Sequence, residues 1–480
     1  MPHFPALAAD ETADVCVVGA GITGLTAALL LRRAGLDVCV LEQQRIGAGT
    51  TGGSSAHLTV VTDMRWPELR TRDGEAAARA AVQANRLGIE RVAKLDAELG
   101  DLSSVQRVPG YLWARHEKDQ ETIETIIEGL VKCGEPAQWH TTIPLPGGAA
   151  GLRVDNQAMF QPMLYLAGLA RLCAEAGVRI YEDTRMTTWE SPATATTPNG
   201  TVTAKQLVLA THMPPGFVPT IQTRAAPFMS YLIEVSLPSP LADGLYWDLD
   251  DPYHYIRPVG GNRVIIGGAD HRPTARDPFE CLVELERWSA ERMSHVGVHH
   301  KWAEMFFEPA DGLPYIGQLA GHDTVWVATG MSGTGLTWGS YAAERITAGI
   351  QGQVLPMDDV FSPRRLAAIA SADHVVAEQL DVAWRMIADR LRPTGDLHPR
   401  DLAPGEGRIL GVDGRKAAVW RDESGELHLL SPVCRHLGCL VGWNPLDKTW
   451  DCGCHGGRYA ADGTRIYGPP QRDLERRKLD

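Results

Sequence analysis

Four side chains late in the sequence have the types and spacing to hold a metal centre: Cys434 and His436 in PVCRHLGC, and Cys452 and His455 in CGCHGGRY. Two thiolates and two imidazoles on two neighbouring loops fit a single cluster, with Cys434 and Cys452 on one iron and His436 and His455 on the other. Mixed ligation of this kind raises a cluster's reduction potential far above that of an all-cysteine one. Zinc also accepts two Cys and two His. Its usual spacing, however, leaves two or more residues between paired cysteines and three or more between paired histidines, which is not the pattern here.

The stretch resembles a Rieske [2Fe–2S] domain. The resemblance implies that Cys439 and Cys454 are the extra pair that bridges the two cluster loops as a disulfide. It also places Gly468-Pro469-Pro470 as a proline-rich loop over the cluster. One departure is Gly457, where respiratory relatives usually carry a serine that donates to a bridging sulfur. Tyr459 remains as a donor to a cysteine sulfur. Because such hydrogen bonds raise the potential, the missing serine predicts a cluster less oxidising than the respiratory ones.

A second chemical signal opens the chain. The apolar run DVCVV (14–18) leads into Gly19-Ala20-Gly21-Ile22-Thr23-Gly24, then a helical LTAALLLRRAG, then LDVCVL ending at Glu42. This strand–helix–strand context is what a dinucleotide fingerprint needs. Gly19 permits the tight turn, Gly21 lets backbone approach a pyrophosphate, and Gly24 lets helix and strand pack closely. Glu42 can accept from ribose hydroxyls, and the helix N-terminus presents free N–H groups to phosphate.

Three further stretches resemble the D-amino-acid-oxidase-like, or glycine-oxidase-like, family of FAD-dependent oxidoreductases: IGAGTTGGSSAHLT (46–59), QLVLATH (206–212), and DGLPYIG (311–317) followed by VWVATGMSGTGL (325–336). An NAD enzyme would need neither of the last two. The resemblance implies FAD contacts from Gln43, Thr50, Thr51, Ser54, Ser55, Ala210 and Thr211. It implies the same for the turn Gly330, Met331, Ser332, Gly333, Thr334 and Gly335, where a helix N-terminus faces the flavin. Some relatives attach FAD covalently; His57 does not fall cleanly at the equivalent position.

These motifs must be carried by an α/β Rossmann-like FAD-binding domain, an antiparallel β-sheet substrate domain of α+β character, and a small all-β Rieske domain. The expected division is 1–350 for the FAD-dependent oxidoreductase, 351–400 for a helical linker, and 401–480 for the Rieske domain. Within the first, residues 12–74, 150–223 and 311–350 are assigned to FAD binding, and 75–149 and 224–310 to the substrate domain. Periodicity predicts helices over 75–100, 117–132, 162–177 and 366–391. It predicts a strand over 178–181, a hairpin around Pro198-Asn199-Gly200, and strand-like runs MSYLIEV, YHYIRP, RVIIGG and WAEMFF.

A chain of 480 residues accommodates two or three domains. Its net charge of −13 argues against nucleic acid or an anionic membrane as partner. Cys16, Cys39, Cys133, Cys173 and Cys281 are scattered and read as buried apolar residues. The N-terminal sequence lacks the features of a signal peptide and no run suffices for a membrane span, so a cytoplasmic location is expected.

For the substrate the sequence says less. Relatives that act on amino acids often carry a carboxylate-binding Arg before the DG-x-P-x-IG motif; here that position is Phe306. Arg257 is the nearest replacement, or else a structural arginine. Tyr253 and Tyr255 could wall a pocket for a cation, or simply pack, and His271 reads as a satisfied loop histidine. The resemblance implies an FAD-dependent dehydrogenase that oxidises a C–N bond of an amine or amino-acid-like substrate by hydride transfer. Electrons would then pass singly to the Rieske cluster and on to an external acceptor or redox protein. An electron relay fed by an outside partner is the alternative; a third reading makes the Rieske fold a docking domain with an idle cluster. A Rieske oxygenase, which needs a mononuclear iron held by two His and a carboxylate, is disfavoured by the reversed domain order and by the flavin motifs that occupy the space.

Overall fold

The computed structural model describes residues 1–365, 372–394 and 397–477. Its first sheet has eight strands. Glu11–Val18 lies at its centre, parallel to Val38–Leu41 on one side and to Gly200–Leu209 on the other. Arg179–Tyr181 and Val325–Thr329 extend the parallel set, and Tyr315–Gln318 adds an antiparallel edge. The central strand is buried on both faces: Val15 and Val17 join one hydrophobic core, Cys16 and Val18 the other. That double burial explains a continuous apolar run in place of an alternating one. Helix Ile22–Arg33 packs so closely on helix Gly335–Ile350 that a Cβ on Gly339 would stand 2.2 Å from Thr23 Oγ1.

The second sheet has nine strands, antiparallel except where Leu245–Trp247 pairs parallel with Gln106–Trp113. It keeps more of the chain than the sequence division allows. Strand Ala149–Met159 belongs here, as does the short His57–Leu58, so the expected boundary at residue 150 falls inside a strand. The helix expected from residue 75 starts at Trp66 and runs to Asp96, kinked at Gly74, whose φ of 86° breaks the helical geometry. Helix Pro278–Met293 was not foreseen. Strand Tyr255–Gly260 starts late, leaving Tyr253 in the loop before it. Of the five scattered cysteines, four are buried and Cys133 is half-buried.

The C-terminal region folds as two four-stranded antiparallel sheets. Residues 366–371 of the expected linker helix lie outside the described residues, as do 478–480 of the expected Rieske domain. Helix Ala372–Leu391 is more than a spacer: Val382 is buried in the same core as Cys434 and Cys452, with Met386 packed against it. Among the described residues, no helix is long and apolar enough to cross a membrane.

Candidate active site

The glycine turn after the first strand is shaped by close approach. Gly19 has a φ of 103°, and a Cβ there would stand 2.4 Å from the Ala210 carbonyl oxygen. A Cβ on Gly24 would stand 1.8 Å from the Gly19 oxygen, which accounts for both glycines. Glu42 sits at the end of the second strand, and its carboxylate accepts from the Ala20 and Gln44 amides at 2.8 and 3.0 Å. Burial pushes the Glu42 carboxyl above its ordinary value, against the pull of those amides.

These residues open onto a cavity of about 490 Å³. Its wall includes Gly19, Gly21, Ile22, Thr23, Glu42, Gln43, Thr50, Thr51, Ser54, Ser55, Ala210 and Thr211, together with Gly330 to Gly335. A long groove bordered by a glycine turn, a helix start and a terminal acid fits FAD. Gly24 stays behind the surface in its packing role. Asp63, which the sequence reading missed, ties the groove together by accepting from the Gly333 amide at 2.6 Å.

The nine-stranded sheet supplies the opposite wall. Tyr253, Tyr255, Phe306 and Trp247 line it; the two tyrosine rings lie 5.8 Å apart, and Phe306 stacks on Phe228. The Tyr255 hydroxyl pairs with Ser230 at 2.9 Å. Arg257 does not face this space. It is buried, with its guanidinium donating to the Ser55 carbonyl, so it supports the flavin-side loop and does not serve the pocket. His57 does line the cavity; its Nδ1 pairs with Ser55 Oγ at 2.9 Å, and burial lowers its pKa to about 3. His271 is satisfied by the Tyr231 hydroxyl at 3.1 Å and the Arg272 carbonyl at 2.6 Å. Glu304 also lines the cavity, and burial pushes its carboxyl up to about 7.

In the C-terminal domain Cys439 and Cys454 form a disulfide, while Cys434 and Cys452 are free and buried. Two thiols and two imidazoles therefore remain as donors. The His436 and His455 rings meet edge-on at 5.0 Å, and both ring nitrogens of His436 are buried without a hydrogen-bond partner. Orphaned imidazole nitrogens beside free thiols fit a [2Fe–2S] cluster. Tyr459 places its hydroxyl 3.3 Å from Cys434 Sγ. Gly457 is a glycine for a local reason: a Cβ there would stand 2.8 Å from Pro470 and 3.2 Å from Cys434 Sγ.

The two centres adjoin. Asp447, Thr449, Arg458, Arg465, Ile466 and Tyr467 of the C-terminal domain line the same cavity as the glycine turn. Phe307 lines it too, and a Cβ on Gly456, next to His455, would stand 2.5 Å from the Phe307 ring. At this point one side chain separates cavity from metal loop. The Gly216 amide donates to the Pro469 carbonyl at 2.9 Å, fastening the proline-rich loop to the flavin-binding part. His212 pairs with Thr50 Oγ1 at 2.8 Å and stacks on Tyr467. His212 ends the QLVLATH stretch, but nothing in the sequence signals a partner so distant along the chain.

The glycine cradle, the covering sheet and the Cys/His loops define a flavoprotein with an iron–sulfur domain. The chain belongs to the FAD dependent oxidoreductase family, whose model matches residues 14–348, and a Rieske [2Fe-2S] domain matches residues 394–477. It is thus an oxidoreductase with FAD, a [2Fe–2S] cluster and an electron-transfer domain. The Bacillus subtilis (strain 168) protein YhfW, described by its name as a Rieske 2Fe-2S iron-sulfur protein, is 30% identical over 495 residues, covering 100% of this chain and 96% of its own. Gamma-glutamylputrescine oxidoreductase of Escherichia coli (strain K12) is 26% identical over 381 residues, covering 74% of this chain and 87% of its own. Glycine oxidase from Geobacillus kaustophilus shares the fold, with a TM-score of 0.64 at 19% identity over 74% of this chain and 99% of its own.

Proposed function

We propose that this chain is a dehydrogenase acting on a C–N bond of an amine or amino-acid-like substrate, with electrons delivered one at a time to an external redox partner. The observation that carries this reading is the shared cavity, lined by the glycine turn on one side and by Arg458, Arg465, Ile466 and Tyr467 on another, with Phe307 between it and Gly456. When bound, FAD supplies a two-electron acceptor and the [2Fe–2S] cluster a one-electron carrier. Gly19, Gly21, Glu42, Thr50, Thr51 and the turn Gly330 to Gly335 hold the first. Cys434, His436, Cys452 and His455 hold the second.

Tyr253, Tyr255, Trp247 and Phe306 exclude water from the substrate side and present aromatic faces to a cation. Asp63 and Glu304 add carboxyls, whereas Arg257 is turned to Ser55. That balance favours a basic amine over a substrate held by its carboxylate. The names of the E. coli and G. kaustophilus proteins, a gamma-glutamylputrescine oxidoreductase and a glycine oxidase, support C–N chemistry.

An anaerobic screen of amines and N-methyl compounds tests the proposal. The expected result is bleaching of the flavin band followed by appearance of the reduced-cluster EPR signal. If no amine bleaches the flavin but a reduced ferredoxin does, the chain is an electron relay instead.

A further inference from the structure

The cavity wall is unevenly charged. Glu42, Asp63 and Glu304 bring carboxyls to it from the FAD-dependent oxidoreductase part, and Asp447 brings one from the Rieske domain. Among the described residues, the Lys and Arg side chains that line it are Arg458 and Arg465, both on the Rieske domain. A pocket for a dinucleotide with an anionic diphosphate therefore takes its guanidinium charge from the neighbouring domain.

The two arginines differ in their partners. Arg458 is 6% exposed and already compensated: it pairs with Asp447 and, at 3.1 Å, with Asp451. Arg465 is equally buried, at 6%, but its Nη2 donates only to the Gly468 carbonyl at 3.2 Å and its Nε has no partner. The neighbouring Asp473 is taken by Arg185 at 2.9 Å and by the Arg465 backbone amide at 2.8 Å. Among the described residues, no carboxylate forms an ion pair with the Arg465 guanidinium. A buried charge without a counter-ion is costly, and burial lowers the Arg465 pKa only to about 10, so the cation persists at neutral pH.

Its surroundings lie along the FAD groove. The Arg465 carbonyl accepts from Arg185 at 3.2 Å, and the flanking Thr184 and Met186 line the cavity. Two residues on, Tyr467 stacks on His212, which holds Thr50 of the glycine-rich loop.

We propose that the Rieske domain completes the FAD site, with Arg465 as the counter-charge for the anionic part of the dinucleotide and the Arg465–Tyr467 strand as the closing wall. FAD retention and docking of the Rieske domain are then one linked equilibrium. This holds whatever the substrate proves to be.

The test uses the full-length protein, stripped of FAD and titrated back while flavin fluorescence is followed. Losing one charge-assisted interaction predicts an FAD Kd raised about ten- to hundred-fold in Arg465→Gln, with iron content and the cluster EPR signal unchanged. Arg465→Lys should recover much of the affinity, which separates charge from packing. An unchanged Kd in an intact Arg465→Gln protein overturns the proposal. If that variant does not fold, hydrogen exchange on the wild-type protein decides: FAD removal should deprotect backbone amides over 458–467, and unaltered protection there overturns the idea equally.

Discussion

The rings of His212 and Tyr467 stack across the boundary between the FAD-binding and iron–sulfur domains, with centroids 5.6 Å apart and planes 18° from parallel. His212 also meets Phe307 edge-on at 4.8 Å, so three rings occupy the junction. Offset and edge-on ring contacts contribute about 0.5–1.5 kcal/mol each beyond area burial.

Tyr467→Ala should loosen this junction without touching an iron ligand. Because Tyr467 also walls the FAD site, the comparison is made with FAD at saturation. Flavin reduction by substrate is then expected at its normal rate, while the later reduction of the cluster slows by roughly two- to tenfold. Anaerobic stopped-flow spectroscopy resolves the two phases. Identical second phases in variant and wild type would show that the stack does not align the domains.

His212 also sets a pH dependence. Burial first, then the charge of Arg458, lowers its pKa from 6.5 to about 4. An unfolded chain takes up this proton below pH 6.5, whereas the folded one refuses it until about 4. The stability contribution is therefore intact above pH 6.5 and is lost as pH falls toward 4. His212→Gln can still hydrogen-bond Thr50 but cannot titrate. Its Tm should decline less steeply over that window; a slope equal to wild type would assign the acid lability to other groups.

The Tyr459 hydroxyl beside Cys434 Sγ bears on the cluster's potential. Removing a hydrogen bond to a ligand sulfur stabilises the oxidised cluster. Tyr459→Phe is expected to lower the potential by roughly 40–60 mV, the equivalent of about 1 kcal/mol for one electron. Redox titration followed by EPR measures this. A potential that stays put or rises would mean the hydroxyl serves the Arg435 amide, which donates to it at 3.0 Å, and not the sulfur.

Arg257 gives a contrasting case. Its guanidinium holds the Ser55 carbonyl from a buried position. Arg257→Met keeps much of the volume but strands that carbonyl, which should cost about 2–3 kcal/mol in denaturant unfolding. The KM for an amine substrate should stay near the wild-type value. A large rise in KM with unchanged stability would restore Arg257 to the substrate pocket.

Local motifs were legible wherever a few neighbouring residues fix the geometry. The turn from Gly19 to Gly24 follows from backbone approach, and the Cys/His loops from ligand chemistry. The hairpin at Pro198-Asn199-Gly200 pairs Thr194–Thr197 with the start of Gly200–Leu209. Helix Pro278–Met293 had a readable start in Asp277-Pro278, where the aspartate accepts from the Phe279 amide at 2.8 Å, but a short amphipathic helix among strands is easily passed over. The junction was not legible: Tyr467 meeting His212, or Gly456 meeting Phe307, depends on how two finished domains dock, and no local pattern encodes that. From its strand position Arg257 reads equally as a pocket residue or a structural arginine; only the fold reveals that its guanidinium reaches back to Ser55.

The cavity wall contributed by Asp447, Thr449, Arg458 and the Arg465–Tyr467 strand gives biosynthesis a direction. During translation the groove from Gly19 to Gly335 is made while that wall is still unsynthesised, so the nascent groove stands open to flavin from the side the finished protein covers.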